Sequence, residues 1–419
     1  MTPNIHPPSL CYVAALSLML CSPSVGHAQA VIAPPAPTSG TTRSSFALFE
    51  NSESPDSAAA GPGASTTSAP STRSSPTRFH PHLNYRFLYG DGIRSQAGRS
   101  ATTEIHEISP GFRLDIGRLW NLEYSPTWSL YSHEAFRDTF EQDVRLSGTA
   151  ILEDWRLGFS QAYQSSSDTL VETGRQTNQE TSLTTLEVSY RLSNSMMLDL
   201  AVHQDLRFVE QFSDTMEWST LEWLHYRASA RTIASLGLGF GYIDMGTGPN
   251  VSYQQLQAQV AWSPSDAMTL QLHGEMNIRR FHTTDSTSLK TPIYGASIAY
   301  SPRQGTLVSL AVDRTVSSSY FQSQVTENDA WSFDLSQRLL QKFQLSVGIS
   351  RRSTSYVTSN PEAAAARKDD YTSFIARISS DFLSRGKLTV FYQASENSSD
   401  RGEFGFSSTQ FGIEIGYGY

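Results

Sequence analysis

Serine beside histidine is the first chemistry-bearing pattern in this chain, which has ten histidines. Ser132-His133 could belong to a hydrolase, because a histidine that takes the serine proton turns the hydroxyl into a nucleophile. The two residues lie in a predicted loop, however, and adjacent residues do not face each other. The sequence contains no HExxH, P-loop or GxSxG motif. An enzyme is therefore not expected, although a hydrolase stays open as an alternative.

Histidine also shares strand faces with carboxylates. His203 with Asp205, and His273 with Glu275, each place two polar groups two residues apart. A metal site would need further ligands from a neighbouring strand, so we expect these residues to form hydrogen bonds, and we expect no metal and no cofactor. The glycines of residues 237–241 imitate a phosphate-binding loop, but no helix follows them. Glycines within a strand are more typical of a place where the sheet lacks side-chain bulk or where the strand bends.

The elements that would carry these residues are strands. In residues 411–419 apolar side chains occupy every second position, as in a strand with one apolar face. The last residue is aromatic, which is typical of the closing strand of an outer-membrane barrel. The expected assembly signal comprises Phe411, Ile413, Ile415, Tyr417 and Tyr419.

Similar alternating segments fill the chain from residue 80 onward, separated in turn by short turns and longer polar loops. The loops are rich in residues that favour turns. Eight short turns and nine longer loops imply eighteen strands, with both termini on the short-turn side. The turns are predicted at 117–118, 153–154, 193–195, 230–232, 263–267, 302–304, 340–341 and 384–386, and the loops at 91–101, 132–138, 168–178, 209–214, 246–250, 282–289, 317–325, 356–369 and 398–404.

The phase of the alternation separates an apolar face from a charged face. A charge at mid-depth in lipid costs about 2–4 kcal/mol, so the charged face is predicted to line a lumen. Residues 216–226 break the phase, because Trp218 and Trp223 fall on opposite faces, and either a β-bulge or a shifted strand boundary is expected there. The predicted pore-lining residues are Arg113, Asp115, Arg145, Glu187, Arg191, Asp199, Arg207, Glu275, Asp334, Arg377 and Glu414.

The predicted fold is therefore all-β: a single transmembrane antiparallel up-and-down β-barrel of about 18 strands over residues 80–419. A soluble β-sandwich, propeller or solenoid would also alternate. The segments here are about 11–14 residues long, which suits a tilted membrane strand. Soluble strands average only about 5–6 residues.

Composition agrees with a barrel. Charged residues make up 17% and aromatic residues 11% of the chain, whereas a typical soluble domain has about 25% charged residues. The net charge of −9 without a basic patch argues against nucleic acid as a partner. Both cysteines, Cys11 and Cys21, lie in the apparent signal peptide, so the mature protein would have neither disulfides nor a catalytic thiol.

The N-terminus is predicted to be an export signal. An apolar run from Cys11 to Cys21, followed by small residues, is typical of a secretory signal peptide over residues 1–28, cleaved after Ala28 or Ala30. No Lys or Arg precedes the run, which is unusual. Residues 31–78 are rich in Pro, Ser, Thr and Ala, and such a composition favours a disordered linker.

The signal peptide, the long Ser/Thr/Gln-rich strands, the regular short turns and the closing residues FGIEIGYGY together resemble the putative β-barrel porin family of Gram-negative bacteria, which includes exopolysaccharide-secretion barrels. The resemblance implies a pore in the cell outer membrane with periplasmic termini. It also implies outer-membrane lipids, lipopolysaccharide and the barrel-assembly machinery as partners.

Three functions stay open: passive passage of small solutes or export of a polysaccharide, a structural or adhesive barrel with a filled lumen, and a barrel-embedded hydrolase. The loops are short, so neither a plug nor a constriction loop is expected.

Overall fold

Strands make up nearly all of the described chain. A computed structural model describes residues 77–167, 169–246, 248–282, 288–321, 324–358 and 367–418. A single 3₁₀ turn, Gly402–Phe404, accompanies the strands in these ranges. The strands are β1 (Arg78–Gln96), β2 (Arg99–Ile116), β3 (Trp120–Tyr131), β4 (Thr139–Leu152), β5 (Trp155–Ser166), β6 (Gln179–Arg191), β7 (Met196–Val209), β8 (Thr215–Ser229), β9 (Thr232–Met245), β10 (Val251–Ser265), β11 (Met268–Phe281), β12 (Ser288–Arg303), β13 (Thr306–Ser318), β14 (Gln324–Leu339), β15 (Phe343–Thr358), β16 (Arg367–Phe382), β17 (Gly386–Ser399) and β18 (Phe406–Gly418).

The eighteen strands close into one barrel. Each strand pairs antiparallel with the next, and β18 pairs with β1 in a register that sets Arg86 opposite Glu414. Closure gives every strand two neighbours, which removes the sheet edges that would leave backbone groups unpaired in lipid. The predicted all-β antiparallel barrel of about 18 strands is thus confirmed. The predicted signal peptide, the predicted linker up to residue 76, and Tyr419 lie outside the described residues.

The start of β1 and the end of β18 are neighbours, because His82 pairs with Gly418. Both described ends of the chain therefore lie at the same end of the barrel, which is the end that carries the short turns. Among the described residues, no helix is both long and apolar enough to cross a membrane. The tight turn after β2 uses Gly117 at φ 67°, a left-handed conformation that glycine adopts without strain.

One predicted loop is wrong. Residues 91–101 form a hairpin instead, because β1 continues to Gln96 and β2 begins at Arg99. The pairing shifts register between Gly90 and Ile93 and again between Arg94 and Gln96. A β-bulge allows glycine and polar residues to continue within a strand. Residues 91–101 therefore have the composition of a loop although they form a hairpin.

The outer face is apolar and the inner face is polar or small. On β9, for example, Leu236 and Leu238 are 63% and 50% exposed, whereas the alternating residues Ser235 and Gly237 are buried. Outward aromatic residues form two girdles, as is common where a barrel meets the two membrane interfaces. The short-turn girdle contains Phe79, Trp120, Trp155, Tyr190, Tyr226, Trp262, Tyr300, Phe343 and Phe382, and the long-loop girdle contains Tyr89, Trp128, Phe140, Phe208, Trp218, Tyr242, Tyr294, Trp331, Phe374, Tyr392 and Phe411.

Within residues 216–226 the described strand has neither a bulge nor a shifted boundary, and the register shift of β8 lies just beyond, between Arg227 and Ser229. β8 pairs with β7 and β9 in unbroken register from Thr215 to Tyr226. Trp218 faces outward, while Trp223 is 8% exposed and faces inward. A Cβ on the opposing Gly237 would lie 2.8 Å from the Trp223 ring, so this glycine makes the inward tryptophan possible. The apparent break in phase was a large apolar residue on the polar face.

Candidate functional site: the lumen and its mouth

The inner wall carries the charged residues predicted for it. All eleven lie on the inward series of their strands, alternating with outward apolar positions. They are distributed around the wall and do not converge on one centre. Arg113, for example, contacts Asp115 at 3.1 Å on β2, and Arg145 contacts Asp143 at 3.0 Å on β4. Their role in lining a conducting pore stays a prediction.

Opposite charges pair across the wall as well as along it. Arg86 donates from Nη1 to Glu107 Oε2 at 3.2 Å, and both side chains are largely buried. Glu275 accepts from Asn277 at 3.0 Å, which in turn accepts from Arg279 at 3.3 Å. Because the signs are interspersed, the described part of the inner wall has no ring of one charge that would select strongly between anions and cations.

The loop between β5 and β6 closes part of the mouth. We call residues 169–178 the mouth loop. Its Leu170 is buried against Val209 and Tyr320. Glu172 accepts two hydrogen bonds through Oε1, from Ser319 Oγ at 2.5 Å and from the Tyr320 backbone N–H at 2.8 Å. Ser319 and Tyr320 follow β13, well around the barrel from β5 and β6, so the mouth loop reaches across the lumen.

Two arginines hold the mouth loop from further strands. Arg367 on β16 donates from Nη1 to the Glu172 carbonyl at 2.9 Å. Thr169 donates its hydroxyl to the backbone carbonyl of Arg94 on β1 at 3.1 Å. The Arg94 guanidinium donates to the Glu403 carbonyl at 2.6 Å. These contacts tie the mouth loop to β1 and β16, and Arg94 in turn ties β1 to the segment before β18.

A second element also enters the mouth. Backbone pairing between β12 and β13 stops at Tyr294 and Arg314 on this side. Beyond that point Val316 and Val325 continue the outward series of β13 and β14, yet they are buried among inward residues of β9–β11 such as Ile243 and Val251. The tip of the β13–β14 hairpin therefore bends into the barrel, where it meets the mouth loop.

Burial shifts the acid–base behaviour of the mouth. Desolvation raises the pKa of the Glu172 carboxyl, although the hydrogen bonds from Ser319 and Tyr320 and the nearby Arg367 and Arg207 oppose that rise. Desolvation also raises the pKa of Tyr320 to about 12. A carboxyl that is buried here when the mouth loop is closed favours its neutral form.

The absence of a constriction loop, expected from loop length, was a wrong prediction. An extended residue spans about 3.3–3.6 Å, so even ten residues can run inward and return over a useful fraction of the lumen. The residues that carry the closure, Arg94, Glu172, Ser319, Tyr320 and Arg367, were not identified from the sequence. The one available signal was the apolar pair Leu170-Val171 inside an otherwise polar loop.

A serine–histidine–aspartate arrangement does occur on the inner wall, at residues other than Ser132-His133. His225 Nδ1 lies 2.7 Å from Ser235 Oγ, and Nε2 lies 3.1 Å from Asp199 Oδ2. Ser235 is only 4% exposed. The backbone around it pairs with β8 and β10, so it offers no ready oxyanion hole. The arrangement joins β7, β8 and β9, and a structural role explains it.

Two other histidine candidates make local hydrogen bonds, His203 on the inner wall and His133 in a loop. His203 Nδ1 lies 3.1 Å from the Thr185 hydroxyl, and His133 accepts from the Ala135 N–H at 3.0 Å within its loop. In the part of the chain that the structure describes, no group of three or more His, Cys, Asp or Glu residues could hold a metal ion.

Comparison with known proteins finds likeness at the level of fold. No family model matches the chain. No curated protein matches it in sequence either. Among solved structures, Pseudomonas aeruginosa OccK2 (OpdF) in complex with glucuronate aligns with a TM-score of 0.47 at 12% identity, covering 81% of this chain and 98% of that chain. Pseudomonas aeruginosa OpdK with vanillate aligns with a TM-score of 0.47 at 11% identity, covering 82% of this chain and 99% of that chain.

Proposed function

We propose that this protein is an outer-membrane channel through which small solutes diffuse passively. The observation that carries the proposal is the contrast between the two faces of one closed barrel. Outside strands β5–β8, the outer face is apolar between two aromatic girdles, as a lipid-facing surface must be. The inner face carries charged and polar side chains, several of which are open to water, such as His273.

The mouth supports small solutes over a polymer. The mouth loop and the β13–β14 tip both occupy the long-loop end of the lumen, where they are held by Arg367 and by Ser319. A polysaccharide chain would have to displace these contacts along its whole passage. A small solute needs only the space that the mouth loop and the β13–β14 tip leave open. Export of a polysaccharide is therefore the less favoured form of the channel.

The proposed orientation follows from the barrel itself. Both described ends lie on the short-turn side, which in bacterial outer-membrane barrels is the periplasmic side. The mouth loop would then face the cell exterior. The proposed partners are outer-membrane lipids and lipopolysaccharide around the girdles, and the barrel-assembly machinery during insertion.

Single-channel recording in planar bilayers tests the function. We expect discrete conductance steps from the wild-type protein and larger steps after residues 170–176 are replaced by a short Gly-Ser bridge. The matched control replaces the exposed Glu134 of another long loop with Ala and should conduct like wild type. If neither the wild-type protein nor the loop deletion conducts, the lumen is filled and the barrel is structural.

A further inference from the structure

One sector of the outer surface is polar where the rest is apolar. Between the girdles, the described outward positions carry apolar side chains, apart from a few polar residues that lie next to a girdle: His106, Gln142, Gln254, Gln337 and Ser380. Strands β5–β8 differ, because polar residues lie deeper there. We call this set the polar patch: Gln161, Ser182, Thr184, Gln204, Thr220 and Glu222.

Glu222 is the most unexpected member of the polar patch. It lies on β8 halfway between the girdle residues Tyr226 and Trp218. Its cross-strand neighbours are Leu200 and Leu238, which face outward and are 43% and 50% exposed. A carboxylate facing lipid at this depth is unfavourable, because the hydrocarbon offers neither water nor a hydrogen-bond donor.

Four other members of the polar patch, Gln161, Ser182, Thr184 and Gln204, form a hydrogen-bonded row. Gln161 donates to Ser182 at 2.8 Å, and Thr184 donates to Gln161 Oε1 at 2.5 Å. Thr184 also lies 3.4 Å from Gln204 Oε1. The row thus satisfies part of its own hydrogen bonding, while its amides and hydroxyls keep further capacity to donate and accept.

We propose that the polar patch is the contact surface between two copies of this chain in the membrane. At mid-depth there are no lipid headgroups, so a partner able to satisfy Glu222 must be a protein in the same bilayer. A second copy inserts in the same orientation, which brings its polar patch to the same depth. Amides and hydroxyls both donate and accept, so the polar patch is complementary to itself across a two-fold axis along the membrane normal.

The outer surface above the polar patch fits the same contact. A groove of about 580 Å³ lies at the long-loop ends of β4–β7, beside the girdle residues Phe140 and Phe208. Arg137 lines it together with four carboxylates, Asp138, Glu180, Glu210 and Asp214, so acidic groups outnumber the single cation. A two-fold contact can set the Arg137 of each copy against a carboxylate of the other.

Cysteine cross-linking tests the proposed contact in native membranes. The only cysteines of the chain, Cys11 and Cys21, lie in the predicted signal peptide, so an introduced cysteine would be unique in the secreted protein. We expect Thr184→Cys to give a covalent dimer with an oxidant or a short bis-maleimide. Ile349 on β15 lies on the opposite side of the barrel, six residues from Phe343 of the short-turn girdle, just as Thr184 lies six residues from Tyr190 on β6. The variant Ile349→Cys should therefore stay monomeric. Equal cross-linking at both positions, or none at either, overturns the proposal.

A second measurement separates loss of contact from loss of folding. The combined variant Glu222→Leu and Gln204→Leu should remain a folded barrel that shifts on SDS gels when boiled, but the Thr184→Cys cross-link should fall several-fold in it. An undiminished cross-link contradicts the role of the polar patch. Cross-linking of Thr184→Cys to a different protein, instead of to itself, would also overturn the assignment of a second copy.

Discussion

Glu172 shows how one buried carboxyl can couple the mouth to pH. Its pKa is raised when the mouth loop is closed, so the closed state binds a proton more tightly than an open loop with an exposed carboxyl. Closure is therefore favoured as pH falls through the raised pKa and is weakened as pH rises above it. Arg367, Arg207 and Tyr320 face the same carboxyl, and the two cations limit the effect.

The residue-scale prediction is a conductance that decreases on acidification. In the variant Glu172→Gln the side chain stays neutral but still accepts hydrogen bonds from Ser319 and Tyr320. We therefore expect this variant to keep the low conductance of the closed mouth loop at every pH. Single-channel recording between pH 4 and pH 8 measures this. Glu134→Gln, an exposed carboxyl on another long loop, should keep the wild-type profile. An unchanged pH profile in Glu172→Gln would assign the effect to another group.

At the scale of the element, the alternation of β6 decides which substitutions the barrel tolerates. Glu187 faces the lumen, while its neighbour Val188 faces outward beside Leu200. Lysine at position 188 would face lipid, where the cost is about 2–4 kcal/mol near the midplane. Lysine at position 187 would face water, where screening keeps the cost small.

We therefore expect Glu187→Lys to fold and to shift the reversal potential toward anions. Val188→Lys should instead lose much of its folded yield. The fraction that resists SDS without boiling, measured for both variants at equal expression, separates the two outcomes. Equal yields for the two variants would mean that β6 has no lipid-facing side.

For the whole molecule, closure predicts cooperative resistance to SDS. All eighteen strands have two paired neighbours, so no edge is available at which detergent can begin to separate the sheet. Unboiled and boiled samples should migrate differently on a gel, and circular dichroism should show β-structure. Identical migration, or a helical spectrum, would contradict a closed barrel in solution.

Several features of the barrel could be predicted from the sequence because they repeat. A period of two in the side chains and an alternation of short turns with longer loops are local properties. Together they determined the strand number, the antiparallel order and the face to which residues such as Leu238 and Glu187 belong. Trp223 was misread for a reason that is not local: the space that it fills is provided by Gly237 on the next strand.

The state of the mouth was decided only by the tertiary structure. Glu172 and Ser319 are 147 positions apart, and Arg367 lies a further 48 residues along. No period or motif relates them, and they meet only because the closed sheet brings their strands around one lumen. The polar patch has a different origin, because the register of the neighbouring strands β5–β8 sets Gln161, Thr184 and Gln204 side by side on the outer face. Alternation along the sequence therefore determined the two faces of the wall, whereas strand register determined the polar patch and contacts between distant strands determined what crosses the lumen, because both depend on pairings that no local pattern specifies.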